Sequence, residues 1–252
     1  MNGGAESAPG YHGKLVAKGD FVTRRLPRSF VGPWDSWLQD VIGDSRARMG
    51  EAWLDAYLTS PIWRFVLPAG LCGEAAAAGV LMPSVDRVGR YFPLTIVAML
   101  ADGADILVAP VAAGDWFGKA EELARSALAD GFDFDGFDAE VAALGIPAAG
   151  ASGPAAAGAT VAEVGPGLRL AIPSADAVDQ VYRQLAERFL NASYPRFSLW
   201  WTSGSEGAAG TFIACSGLPS VEGFAAFLDG RWGEWGWDGG APAARAEAAA
   251  PS

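Results

Sequence analysis

The chain has 252 residues, 51% of them hydrophobic, and a formal net charge of −11, which is enough length and apolar content for one substantial core. The charge is uneven: residues 11–100 hold ten Lys or Arg against eight Asp or Glu, and residues 101–252 hold eight against twenty. That balance, with no basic stripe interleaved with aromatics, speaks against nucleic-acid binding, and Cys72 and Cys215 show no metal-ligand spacing and do not point to a disulfide scaffold.

Residues 1–10 are small and polar and are expected to be disordered. Order should begin near Tyr11, and one α+β domain is expected over 11–230, with a Trp-rich end and disordered tail at 231–252. The beginning of the chain lacks a basic segment followed by an apolar one. Pro93–Leu100, the most apolar strand-like run, is too short to cross a bilayer as a helix. A cytoplasmic protein without direct membrane insertion is the expectation.

Lys14–Ala17 and Asp20–Arg24 read as short strands joined at Lys18-Gly19-Asp20. Ser29 can cap a helix in which Phe30, Trp34, Trp37, Leu38, Val41 and Ile42 recur at helical spacing, and Glu51–Leu58 reads as a second helical piece ended by Pro61. Ile62–Leu67, Gly79–Pro83 and Arg90–Met99 read as strands, the last two joined through a turn at Val85–Gly89. Gly114–Ala129 is an amphipathic helix. The run FDFDGFD at 132–138 resembles a calcium loop only superficially, because Glu140 comes too early to be the distal bidentate ligand; a short helix is expected at Ala139–Leu144.

Residues 147–160, PAAGASGPAAAGAT, read as a low-complexity loop or linker. Beyond it Leu168–Ile172 reads as a strand, Ser174–Leu190 as a helix capped by Ser174, Arg196–Thr202 and Thr211–Cys215 as strands with a hairpin loop between them, and Ser220–Leu228 as a helix. The order is β-β-α-β-β-β-α, a short helix, then β-α-β-β-α. It implies an α+β fold with an antiparallel sheet flanked by helices, its first seven elements in longin/profilin-like order.

The densest polar segment is Gly79–Thr95, GVLMPSVDRVGRYFPLT, whose turn would present Ser84, Asp86, Arg87 and Arg90 at one sheet end. His12 is the only histidine and reads as a surface residue near a mobile terminus, poorly placed as a general base. Ser84 has no G-x-S-x-G elbow and more naturally caps its turn. No phosphate loop is present. Asp20 and Asp86 could approach each other, either as a metal-binding pair or as turn residues satisfied by backbone N–H groups and arginines. Trp34, Trp37, Trp53 and Trp63 read as core or half-buried. Trp200 and Trp201, adjacent on a strand, must face opposite sides, one entering the core and the other lying outside or under a helix. Trp232, Trp235 and Trp237 could pack back over the sheet or form a docking patch.

Several separated motifs carry a family resemblance. The run Gly13-Lys14-x4-Gly19-Asp20-Phe21-Val22-x-Arg24, then Trp34-Asp35-x-Trp37-Leu38, Trp63-Arg64-Phe65, the whole Gly79–Thr95 segment and Ser198-Leu199-Trp200-Trp201-Thr202 together resemble the TagF/ImpM family of type VI secretion-associated proteins over about residues 11–230. The resemblance implies a cytoplasmic, post-translational repressor of secretion whose direct partner is a forkhead-associated-domain protein of the apparatus, with no cofactor. Nothing in the chain resembles the phosphatase domain fused to some members. The expected partner surface comprises Gly19, Asp20, Phe21, Ser84, Asp86, Arg87 and Arg90, with Trp200 and Trp201 as further candidates. The alternatives are a metal-assisted phosphohydrolase using Asp20 and Asp86, with Arg87 stabilising charge, and a structural accessory subunit of the apparatus.

Overall fold

A computed structural model describes residues 8–16, 18–150, 161–164, 167–170 and 178–237. The expected tails fall mostly outside this set, as do residues 151–160 of the Ala/Gly/Pro-rich stretch and the expected cap Ser174. The chain opens with β1 (Gly10–Gly13) and β2 (Val22–Arg24), followed by α1 (Arg28–Met49), a 3₁₀ turn at Gly50–Ala52 and α2 (Trp53–Thr59). Next come β3 (Trp63–Leu67), β4 (Ala77–Met82), β5 (Leu94–Met99), the single turn α3 (Ala109–Ala112), α4 (Gly114–Ser126) and α5 (Phe134–Ala143). A separate hairpin, β6 (Val161–Val164) with β7 (Gly167–Leu170), precedes α6 (Val178–Ser193), β8 (Phe197–Gly204), β9 (Ala209–Ser216) and α7 (Ala225–Asp229).

Seven strands form one antiparallel sheet in the order β2-β1-β5-β4-β3-β8-β9. The first five come from the part expected to be longin/profilin-like, and β8 and β9, from beyond the low-complexity stretch, extend the same sheet at β3. The α+β antiparallel fold is therefore as expected, but the two parts share one sheet.

Both faces are covered. On one side α4 and α5 pack through Phe117, Ala120, Ala124, Phe137 and Val141 onto Val66, Val80, Leu94 and Ile96; on the other α1, α2 and α7 pack through Trp34, Leu38, Tyr57 and Phe227 onto Phe65, Leu81, Val97 and Trp200. Side chains alternate between the faces of a strand, so β4, covered on both, is buried at every position. The buried indoles are satisfied as apolar bodies with one donor require: Trp34 donates to Thr95 Oγ1 at 3.0 Å, Trp37 to the Pro219 carbonyl at 2.9 Å, Trp63 to the Phe227 carbonyl at 2.9 Å and Trp200 to Ser198 Oγ at 2.9 Å.

Local differences have physical causes. β1 lies at 10–13 rather than 14–17, because this inner strand passes too close to its neighbours for side chains at its ends: a Cβ at Gly10 would stand 2.2 Å from the Arg24 carbonyl oxygen and one at Gly13 2.0 Å from that of Pro93. Helix α1 starts after Pro27, whose carbonyl accepts from Phe30 N and Val31 N, so Ser29 lies inside the first turn and caps nothing. Helix α5 begins at Phe134 because Asp133 caps it, accepting from Asp135 N at 3.1 Å, a cap signal obscured by the alternating Phe-Asp pattern. The strand expected at Leu168–Ile172 is one arm of the β6–β7 hairpin, which is separate from the main sheet. The body also runs past residue 230: Trp232 packs on Trp63 and Phe227, and Trp237 donates to the Gly223 carbonyl at 2.8 Å. Trp232 and Trp237 thus fold back onto the core, while Trp235 donates to the Asp229 carboxylate.

Candidate functional site

Antiparallel register brings Gly13, Val22, Trp63, Met82 and Leu94 to one end of the sheet. The loop carrying Gly19, Asp20 and Phe21 and the turn between β4 and β5 therefore meet there, although about seventy residues separate them in the chain. The turn closes through Asp86 N to the Arg90 carbonyl at 3.0 Å and Gly89 N to the Asp86 carbonyl at 3.0 Å, with Gly89 at φ 80°, a conformation that favours glycine.

Asp86 is the hub beneath this turn. Its Oδ1 accepts from Val88 N at 3.0 Å and Arg90 N at 2.9 Å, while its Oδ2 accepts from Lys14 Nζ and from Arg90 Nε at 2.7 Å. Burial alone would push this carboxyl upward. The bonds from the Lys14 ammonium, the Arg90 backbone and side chain and the Val88 N–H outweigh it and hold Asp86 far below the usual carboxylate range. Arg90 also reaches the Gly19 carbonyl through Nη2 and approaches Asp20 Oδ1 at 3.9 Å, clamping the two loops together. Lys14 sits 4.8 Å from the Phe21 ring centroid.

Two of the turn residues expected at a partner surface are instead internal. Asp86 is buried by its ion pairs, and Ser84 is buried with Oγ donating to the Lys14 carbonyl at 2.8 Å, so it ties β4 to the chain after β1 rather than capping its own turn. The metal reading of Asp20 with Asp86 fails on the same geometry: two N–H donors meet each Asp86 oxygen, and Arg90 lies between the carboxylates. What remains outward is Asp20, Phe21 at 50% exposure, Arg87, Val88 at 64% and the outer part of Arg90.

The two β8 tryptophans divide as their alternation requires. Trp200 is wholly buried among Trp34, Phe65 and Phe227, so it cannot meet a partner; Trp201 lies half-buried between Phe117 and Phe212 on the opposite face. His12 is also buried, contrary to its expected surface position: Nδ1 contacts Thr23 Oγ1 at 2.8 Å, Nε2 contacts Asp35 Oδ1 at 3.0 Å, and Phe21 stacks over the ring. The imidazole thereby ties β1 to β2 and to α1. Lys14, which carries the turn's buried charge, was visible only as part of the Gly13-Lys14 motif; no local pattern marks a lysine as buried.

A second feature adjoins the turn. Leu58, Ser60, Ile62, Met82, Pro83, Ser84, Val85, Arg125 and Leu128 line a groove of about 240 Å³. Leu58 and Leu128 stand 52% and 46% exposed on its rim, from the ends of α2 and of the segment after α4. These residues are dispersed in sequence, and nothing in their local patterns marks them as one site. Among the described residues no group of three or more His, Cys, Asp or Glu could hold a metal ion, and no helix is long and apolar enough to cross a membrane.

Comparison with known proteins places this sheet end in a family context. A family model described as the TagF N-terminal domain, type VI secretion system-associated, matches residues 10–144, which span β1 to α5 and include both loops of the clamp. The crystal structure of PA0076 from Pseudomonas aeruginosa PAO1 is similar at 37% identity with a TM-score of 0.74, covering 88% of this chain and 94% of that one. No curated protein matches the chain. The protein is of the type VI secretion-associated class. It belongs to the TagF family.

Proposed function

We propose that the protein is a non-enzymatic, post-translational repressor of a type VI secretion system, acting in the cytoplasm by binding a forkhead-associated-domain component of the apparatus. The observation that carries this reading is the clamp at the sheet end. Asp86 spends its charge on holding Lys14 and Arg90, leaving Asp20, Phe21, Arg87 and Val88 on a braced platform. A rigid tip that offers one aromatic, one aliphatic and the guanidinium of Arg87 suits protein recognition, where aromatic and Arg anchors dominate. A carboxylate saturated by donors suits neither proton transfer nor metal ligation.

The test is capture of the cognate forkhead-associated-domain protein by wild type and by a Phe21→Ala, Arg87→Glu variant, alongside secretion measured in a deletion strain complemented with each. Loss of at least tenfold in affinity, which is about 1.4 kcal/mol, with restored secretion in the variant strain is expected. Unchanged binding by the folded variant overturns the surface assignment. A deletion strain that stops secreting would identify a structural subunit instead of a repressor.

A further inference from the structure

The groove beside the turn is lined mainly by apolar side chains. Its floor and walls are Ile62, Met82, Pro83 and Val85, its rim is Leu58 and Leu128, and the one charged residue lining it is Arg125. Val85 belongs to the clamped turn itself, bridged to Tyr91, so the groove and the platform share a wall. At about 240 Å³ it falls below the roughly 300–1,000 Å³ typical of enclosed small-molecule sites. It is the size for one or two side chains.

Its electrostatics run opposite to the chain's net charge of −11. Arg125 shares the buried carboxylate of Glu121 with Arg64, through Nη2 to Oε2 at 2.8 Å and Nε to Oε1 at 2.6 Å, so two guanidinium groups face one acid. At the turn, Lys14 and Arg90 likewise share the single carboxylate of Asp86. Arg87 forms no ion pair with a described residue, and Asp20 is the one further carboxylate at the clamp. No carboxylate lines the groove. Each cluster thus carries surplus positive charge beside an apolar opening, and complementary potential is what steers and orients a partner.

We infer that this groove docks an acidic linear segment of the protein partner, with a bulky apolar side chain seated against Leu58, Ile62, Met82 and Leu128 and flanking carboxylates meeting Arg125 and Arg87. This rests on the reading of the protein as a regulator that works through a protein partner, and it specifies the chemistry that partner presents. The chain's own segments outside the described residues, at 1–7, 17, 151–160, 165–166, 171–177 and 238–252, contain no bulky apolar residue flanked by carboxylates. The complementary occupant is therefore another molecule.

Two measurements test it together. Purified full-length protein is titrated with the cognate forkhead-associated-domain protein as wild type, Leu128→Asp, Leu58→Asp and Arg125→Glu, with thermal midpoints as folding controls. In producing cells, a photo-crosslinking phenylalanine analogue replaces Leu128 and the adduct is mapped by mass spectrometry. Expected are at least tenfold weaker binding for each variant, a deficit for Arg125→Glu that narrows between about 50 and about 300 mM salt as the Debye length shortens, and an adduct on an acidic segment containing a large apolar residue. Wild-type binding that the three folded variants retain overturns the groove assignment while leaving the regulator reading intact. If wild type does not bind the forkhead-associated-domain protein, that partner is wrong; the crosslink then decides the groove. An adduct on an acidic apolar segment of another protein that disappears with Arg125→Glu supports it, and an adduct on a basic segment, on this chain itself, or none at all overturns it.

Discussion

Lys14 and Asp86 form an ion pair across 72 positions of sequence, and neither side chain is more than 5% exposed. Two buried charges are tolerable only when each is paired and hydrogen-bonded, and this pair joins the chain after β1 to the turn after β4. The bond also explains why the turn holds its shape, since the same carboxylate receives both Val88 N and Arg90 N.

Removing one partner should therefore be worse than removing both. Asp86→Ala leaves the Lys14 ammonium buried without a counter-charge, and Lys14→Met leaves the carboxylate without its buried donor; each is expected to lower the urea midpoint. The double variant Lys14→Met, Asp86→Leu is expected to lie above Asp86→Ala alone, because no buried charge is left uncompensated, the Arg90 side chain being 56% exposed. A double variant that is the least stable of the three would show the pair to be strongly net stabilising instead.

The same carboxylate sets an acid limit. Burial raises the Asp138 carboxyl, but hydrogen bonds from Tyr11 and Arg25, with the nearby charges of Arg25 and Arg24, bring it below its ordinary value, as the clamp does for Asp86. A carboxyl lowered by folding contributes its full stability above the unfolded value of about 3.9 and loses it as pH falls toward the lower folded value. Denaturation midpoints measured between pH 6 and pH 2.5 should show this contribution level in the upper part of that range and falling below about pH 4. Asp86→Asn should give a shallower fall there than wild type.

Trp200 belongs to the core and should behave so. It is fully buried and stacks on Trp34 with ring centroids 6.0 Å apart and planes 3° apart. Trp200→Ala is expected to cost ~3–5 kcal/mol by urea denaturation. Trp200→Phe keeps much of the apolar body and loses the bond to Ser198 Oγ, so its cost should be smaller.

Two glycines of the family-like motifs should respond oppositely. A Cβ at Gly79 would stand 2.4 Å from the Ile96 carbonyl oxygen and 2.6 Å from Phe65 Cζ, so Gly79→Ala should force neighbouring strands apart and lower the thermal midpoint sharply. Gly19 has open space around it, and its carbonyl is what Arg90 uses. Gly19→Ala should stay within about 0.5 kcal/mol of wild type.

Element type and order were largely legible because they depend on local periodicity. The helical recurrence of Trp34, Trp37, Leu38 and Val41, the breaks at Gly50 and Pro61, and the apolar runs of β3, β4 and β5 are each visible within a dozen residues, and the alternation of Trp200 and Trp201 already divided them between the two faces. Strand boundaries near Gly10 and Gly13 were not legible, because the constraint there is the carbonyl oxygen of a neighbouring strand rather than anything in the run itself. The candidate surface was half legible. The Gly19 loop and the Val85–Gly89 turn stood out by composition and motif, but nothing local distinguishes an arginine or aspartate that faces outward from one that is consumed underneath.

Composition and motif spacing thus identified the class of fold, the family and the two loops that matter, since hydrophobic period and turn chemistry are properties of neighbours in sequence. Only the tertiary structure decided what those loops present. Antiparallel pairing of β1 with β5 brought Lys14 beneath the turn, where desolvation makes pairing with Asp86 compulsory. Covering both faces of the sheet buried Trp200 and His12. The packing of α2 and α4 at the end of β4 then opened the groove between Leu58 and Leu128, a juxtaposition of distant residues that no local pattern encodes.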